Sequence, residues 1–259
     1  MNNLFAFHGI DHKTGVTMIA QSAAELIAAQ NSNINVLFIS LNGRKNGEYV
    51  EESVKTIDEF KLQMDSQMII SRDFAKACRR KRNLYILAGL SNEQEQRYYF
   101  PNSAQYLLEA IRGSFEIIIA DTGSELDNGL ALGGMSAAAK NYLILTQLES
   151  SLCRYEGMAQ WFEKAQIKFD RFLINKFYQE DPHTISYIKE RLCMNKEMIF
   201  KIRASSHDRH AEMDHKTLIH FKSDNYLSDI TAIANEMLEV AGLPLIKVQR
   251  KNRLWKNFI

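Results

Sequence analysis

Residues 7–27 read FHGIDHKTGVTMIAQSAAELI. An apolar run ends at Gly9, a polar loop follows, and Gly15-Val16-Thr17 opens a long apolar-periodic helix. Small residues (Ala20, Ala23, Ala24) stand where that helix would pack closely on a sheet. The outline is that of a loop which grips phosphate with backbone N–H groups and the positive end of the following helix. Two features depart from it. Val16 precedes Thr17 where such a loop carries a lysine. His12 and Lys13 stand where glycines would allow the tightest approach of backbone to ligand, which predicts a stiffer or differently shaped loop.

Working outward, short β-rich runs alternate with helical patterns. Segments 3–8, 35–41, 84–89, 115–121, 141–147, 171–177 and 198–202 read as strands, and most are continuous apolar runs of the kind covered on both faces. Helices are predicted near 17–30, 48–66, 71–81, 102–112, 128–139, 151–166, 183–193 and 225–241. The alternation predicts an α/β fold, a mostly parallel seven-stranded sheet with helices on both faces and right-handed crossovers. Ligands of such sheets lie beyond the carboxyl ends of the strands. The segments HGIDHKTGVT (8–17), SLNGRKNG (40–47), DTGSELDN (121–128) and NKFYQED (175–181) each follow a strand and should converge on one rim.

Composition narrows the class. The apolar fraction of 46% and charged fraction of 24% suit a globular chain, and a net charge of +1 supplies no global attraction for nucleic acid. Cys78, Cys153 and Cys193 are odd in number and far apart, which argues for a reduced, cytoplasmic setting and against a disulfide or zinc framework. No run of about 18 apolar residues suggests a transmembrane helix. The start, MNNLFAFHG, lacks the charged region of a signal peptide. With three prolines and no low-complexity tract, one domain over 1–242 and a short tail over 243–259 are expected.

The pattern over residues 3 to 240 resembles the MinD/ParA group of P-loop ATPases, and within it the TadZ- or CpaE-like proteins of pilus assembly. The group's loop reads K-G-G-V-G-K-T; here it reads Asp11-His12-Lys13-Thr14-Gly15-Val16-Thr17. FEIIIADTGSELDNGLALGGMSAAAKNYLILTQ is similar to the group's strand and switch segment, with Gly123 where the group has proline. FLINKF places Asn175 where the group has an asparagine that contacts adenine, while Ser40-Leu41-Asn42 replaces its acidic I-D-x-D. The resemblance implies ATP or ADP with Mg²⁺, held by Asp11, His12, Lys13, Thr14, Gly15, Val16, Thr17, Met18 and Asn175. Thr17 and Asp121 fall on the metal side, and Asn42, Asp121, Thr122 and Gly123 are switch-like. It implies a homodimer with its loops face to face, a positioning or assembly role, and possible secretion or pilus-assembly partners.

Stabilising a transferring phosphoryl group needs a Lys, an Arg or a metal, and Val16 supplies no charge. Three functional readings follow: a nucleotide binder with impaired or absent hydrolysis, a slow Mg²⁺-ATPase in which Lys13 replaces the missing lysine, and a nucleotide-free scaffold. Asp11 would set a negative charge beside phosphate unless it turned outward.

Other features admit plainer readings. His207, His210, His215 and His220 crowd a segment with Asp208 and Asp214; His207 and His210 have ligand-like spacing, but a solvated helix or loop is the simpler account. Ser150 and Ser151 lack a nucleophile elbow. ACRRKR (77–82) is a basic cluster suited to a solvated helix end, with DNA contact a lesser alternative. The tail LPLIKVQRKNRLWKNFI (243–259) carries Lys247, Arg250, Lys251, Arg253 and Lys256 and no acid. Wound as a helix it gathers Val248, Trp255 and Ile259 on one face, with Leu254 and Phe258 at the margin. That is the composition of an interfacial membrane helix, and equally of an arm docked on the body or a partner.

Overall fold

A computed structural model describes residues 2–45, 49–50 and 54–247. All seven expected strands form: β1 (Leu4–Gly9), β2 (Val36–Ser40), β3 (Leu84–Leu87), β4 (Ile117–Asp121), β5 (Lys140–Thr146), β6 (Arg171–Phe177) and β7 (Ile199–Arg203). They pair in parallel throughout, in the order β3-β2-β4-β1-β5-β6-β7. Continuous apolar runs are what this requires, because each strand side chain meets a helix layer on one face or the other.

Strand alternation sorts the core into two layers. Phe5, Phe7, Phe38 and Ile119 face α1 (Val16–Gln30), α8 (Asp208–Met213) and α9 (Asp224–Val240). Leu4, Leu37, Ile39 and Ile118 face the other layer, α2 (Lys61–Asp65), α3 (Ser71–Cys78), α4 (Pro101–Ile111), α5 (Gly129–Ala137), α6 (Glu149–Lys164) and α7 (Ile185–Arg191). Helix α1 packs on the sheet beside α9, which lies over β5 to β7; Ala20, Ala23 and Ala24 are wholly buried and even Gln21 and Ser22 are inside. After β1 the chain runs over one face to β2, and after β4 over the other face to β5. The switch point of the sheet is therefore at the carboxyl ends of β1 and β4.

One expected helix is much shorter than the pattern suggested. In place of 48–66, a 3₁₀ turn spans Ile57–Phe60 and α2 follows. The chain at 55–57 is committed to the edge of the sheet. Ala88 donates its amide to Lys55 O at 2.7 Å, and the Ile57 amide returns to Ala88 O at 3.2 Å. Extended Thr56 then starts the turn through a capping box with Glu59. Residues 46–48 and 51–53 lie outside the described residues. A 3₁₀ turn at Glu93–Tyr98 and the six-residue α8 were not predicted as helices.

At the chain's end, Gly242 takes a left-handed φ of 69° and residues 243–247 turn back onto the body. Asn235 holds Ile246 by both backbone groups, at 2.7 and 3.1 Å, and Ile246 is buried against the α9 layer. The expected amphipathic tail, including Arg250, Lys251, Arg253, Leu254, Trp255, Phe258 and Ile259, lies outside the described residues.

Helices α4 and α5 approach through glycines. A Cβ on Gly129 would stand 2.2 Å from Tyr99 O, and one on Gly133 2.2 Å from Pro101 O. Backbone cannot yield as a flexible side chain does, so Gly133→Ala should cost about 1–3 kcal/mol, read as a lowered denaturation midpoint with an unchanged denaturant slope.

Candidate functional site

The loop after β1 is built around Gly15. It caps α1 with φ 90°, a left-handed conformation that favours glycine, and a Cβ there would lie 2.4 Å from Asn175 Nδ2. Asn175 comes from β6 and donates to Thr14 O at 2.7 Å, fixing the loop from the far side of the sheet. Thr14 Oγ1 donates to Asp11 O at 3.0 Å, and Lys13 is left-handed at φ 60°. No side chain among the described residues caps this 15-residue helix, so its first amides remain available to an anion. Val16 is buried in the core and brings no charge.

Facing the helix start is Asp121, fully buried at the end of β4. Thr17 Oγ1 donates to its Oδ2 at 2.5 Å, Asn42 Nδ2 to the same oxygen at 3.1 Å, and the Gly123 amide to Oδ1 at 2.9 Å. Burial raises the pKa of this carboxyl, while the three donors pull it back down. Ser40 pairs in register with Asp121 on the neighbouring strand, and its Oγ is buried without a partner among the described residues. A hydroxyl, a carboxylate and an orphaned hydroxyl beside a helix start make an oxygen-rich donor set that suits hydrated Mg²⁺.

The outer rim carries charge in pairs. Asp11 Oδ1 accepts the His12 amide at 2.7 Å and lies 3.8 Å from Arg154 Nε, which itself donates to Ile10 O at 2.8 Å. Asp11 is thus held by its own loop and α6. His12 meets Ser124 Oγ at 2.9 Å, and Arg44 pairs with Glu125. Loop and switch-like segment therefore touch directly. Beyond Gly15 a cavity of about 270 Å³ opens toward α8, with Lys13, Met18, Asn175, Asp208 and Tyr226 among its walls.

Comparison with solved structures places this architecture. A ParA family ATPase from Chlorobium tepidum TLS superposes with a TM-score of 0.78 at 13% identity, over 90% of this chain and 99% of that one. MinD from Pyrococcus horikoshii OT3, complexed with Mg-ADP, gives 0.71 at 14% identity over 93% and 98%. A Cyanothece McdA variant in complex with ATP gives 0.67 at 16% identity over 95% and 98%. The fold is that of the ParA/MinD ATPases. No protein-family model matches the chain, and no curated protein matches it by sequence.

Within this ParA/MinD fold the predicted residues Asp11 to Met18, Asn42, Asp121 to Gly123 and Asn175 all gather at the switch point. Lys13 lines the cavity on the α8 side and makes no ion pair among the described residues. Asn175 spends one amide hydrogen on the loop, a positioning role that its sequence context did not reveal. The histidine segment does not gather into a metal cluster among the described residues; His207 instead stacks on Phe221 at 5.6 Å. The basic cluster at 77–82 ends α3 and lines other surface hollows, away from the loop.

His8 was missed by sequence reasoning, hidden within an apolar strand. It is buried between Phe162 and Phe169, and its Nδ1 lies 3.1 Å from Thr122 Oγ1. Thr122 gives its own proton to Phe7 O at 2.9 Å, so Nδ1 carries the hydrogen and donates. Burial pushes the imidazole down to about 4 from 6.5. Its depressed value means the folded state keeps a neutral ring that the unfolded chain would protonate. That contribution is whole above pH 6.5 and is lost as pH falls toward 4, a loss of about 3 kcal/mol. The melting temperature should fall across this window in the parent and fall less in His8→Gln.

Proposed function

We propose that the chain is a nucleotide-binding positioning or assembly factor of the ParA/MinD type, in the manner of the TadZ-like branch, with impaired or absent hydrolysis. The observation that carries this reading is the uncapped start of α1 at Gly15, opposite the buried pair Thr17 and Asp121. Backbone amides from Gly15 onward would hold the phosphates of ATP or ADP. Thr17, Asp121 and Ser40 would hold the water shell of Mg²⁺, which supplies charge neutralisation at the phosphates. The neighbours solved with Mg-ADP and with ATP lend support, since the fold that carries those ligands is the fold here.

Each residue has a definable part in binding. Asn175 keeps Thr14 and Gly15 in the conformation that turns amides outward. Buried Val16 closes the helix to the core and adds no cation. Arg154 draws the Asp11 carboxylate to the α6 side, which limits its repulsion of phosphate. Stabilising charge on a transferring group demands more than these residues supply. The nucleotide then serves as a structural ligand that favours a dimer with opposed loops. The basic tail would add contact with a membrane surface or a secretion partner, each weak alone and firm in a dimer.

Protein purified without added nucleotide, then heated and chromatographed, should release an adenine nucleotide, and Mg·ATP should raise the melting temperature of emptied protein. Thr17→Val should remove the Mg²⁺-dependent part of that rise and leave the part seen with nucleotide alone. Absence of both release and thermal shift would favour the scaffold reading.

Lys13 tests the enzymatic reading. Steady-state phosphate release should match the buffer blank in the parent. Release that is present in the parent and lost in a folded Lys13→Ala would replace the binder with a slow ATPase. For the tail, flotation with liposomes rich in anionic lipid should fall in a 1–247 truncation; equal flotation would remove the membrane contact.

A further inference from the structure

Where the loop meets the switch-like turn, one carboxylate is lodged between two basic side chains from other segments. Glu125 Oε1 pairs with the Arg44 guanidinium and lies 3.7 Å from His12 Nε2, and its Oε2 accepts from Gln96 Nε2 at 3.4 Å. His12 Nδ1 in turn meets Ser124 Oγ at 2.9 Å. The three side chains belong to the loops after β1 and β2 and to the turn after β4. All are partly exposed, so solvent screens the pairing and weakens it. The base of the arginine is held more firmly. Asn42 Oδ1 takes the Arg44 amide at 2.8 Å while its Nδ2 holds Asp121. The Leu90 amide reaches Arg44 O at 3.1 Å, and a Cβ on Gly89 would stand 2.2 Å from that oxygen. A pinned backbone thus carries a long side chain that is able to change partner.

We propose that Glu125 is a built-in stand-in for a terminal phosphate, and that Arg44 leaves it for the third phosphate of ATP and so tells a triphosphate from a diphosphate. The inference rests on the nucleotide reading above and names what that site would sense. A guanidinium fork grips carboxylate and phosphate through the same pair of parallel N–H···O bonds, so a site shaped around one suits the other. A terminal phosphate offers more oxygens and more charge than a carboxylate, and it wins the exchange at a pair that solvent already weakens. Val16 leaves the loop without its usual cation, and an arginine from the neighbouring loop makes up the charge. The contact is made in the bound state, before any transfer, so it stabilises binding and requires no turnover.

The order of the strands gives the ligand its direction. Strand β1 stands between β4 and β2 on one side and β5, β6 and β7 on the other. The cavity beyond Gly15 belongs to the second side: Asn175 of β6 and Arg203 of β7 line it, and no residue of 42–45 or 121–125 is among its walls. Arg44 and Glu125 follow β2 and β4 and belong to the first side. A nucleotide with its phosphates on the Gly15 amides and its base in the cavity therefore points its last phosphate toward the Arg44–Glu125 pair. Glu125 also stands midway along a turn fixed at both ends. Asp121 Oδ1 holds the Gly123 amide, and Asn128 caps α5 at the Leu130 amide while donating to Leu41 O at 3.0 Å. Exchange at Arg44 would release the middle of that turn and leave its anchors in place.

Calorimetry on emptied protein with Mg²⁺ and either ADP or AMP-PNP tests this in the parent, Arg44→Gln and Glu125→Gln. The parent should bind AMP-PNP about tenfold tighter than ADP, the scale of one charge-assisted bidentate contact. Arg44→Gln should lose that preference by weakening AMP-PNP alone, with ADP within about twofold of the parent. Glu125→Gln, which frees the arginine, should tighten AMP-PNP by at least about threefold and leave ADP within about twofold. Opposite shifts from the two partners of one ion pair are the mark of an exchange; a purely structural pair would weaken both ligands in both variants and overturn the inference. Both variants should melt close to the parent, since neither side chain is buried. Equal binding of ADP and AMP-PNP by the parent, a preference that survives Arg44→Gln, or weaker AMP-PNP binding by Glu125→Gln each overturns the inference and leaves the nucleotide reading intact. Binding of neither ligand by the parent removes the nucleotide reading, and this inference with it.

Discussion

The arrangement turns on one carboxylate withdrawn from water. Asp121 ends a central strand with no solvent exposure, and a charge in that position is tolerated only when donors replace its hydration. The three that do so come from different parts of the chain: Thr17 from the first turn of α1, Asn42 from the loop after β2, and the Gly123 amide from its own turn. The backbone of Asp121 is tied as well, its carbonyl taking the Leu41 amide at 2.7 Å. Displacing any of these segments strands a buried charge. The geometry of the loop is thus coupled to that of the switch-like segments through bonds that are strong because they are dry.

That coupling extends inward by way of Thr122. Its hydroxyl donates to Phe7 O and accepts from His8, and its amide also bonds Phe7 O, at 2.9 Å. A neutral imidazole clamped between Phe162 and Phe169 therefore bears on the residue next to Asp121. Gly9 completes the joint: its amide reaches Gly123 O at 2.7 Å, and a Cβ on it would collide with Thr14 Oγ1 at 2.4 Å. The start of the loop, the turn after β4 and the aromatic layer beneath α6 pack as one unit.

Much of this was legible in the residues. Strands buried on both faces must be apolar throughout, so seven apolar runs separated by helical patterns are enough to give a parallel sheet, and the ends of those runs give the rim. Reading failed where tertiary contacts override local pattern. At 55–57 the periodicity suits a helix, but sheet-edge bonds to Ala88 hold the chain extended. Helix α8 is six residues long and strewn with histidine and acid, too short for a periodic signal. His8 looked like part of a strand because it is one, and only its buried partners distinguish it. Asn175 stood out as a base contact from resemblance, whereas its bond to Thr14 joins residues 161 apart in sequence, a relation that no local pattern contains.

The acids around a site proposed to take an anion are the sharpest test of consistency. A cluster of carboxylates beside phosphate would be self-defeating if all were free. Asp11 and Glu125 are not: each lies against an arginine, and both pairs sit on the rim where solvent screens what remains. Asp121 is deep, where three donors take the place of water; on the proposed reading it would stand on the metal side, where negative charge favours a cation that in turn neutralises phosphate. Asp208 and Glu212 stand on α8, where they line the cavity beyond Gly15. The charge around the start of α1 is therefore compensated locally, by arginines at the rim and by hydrogen-bond donors at Asp121.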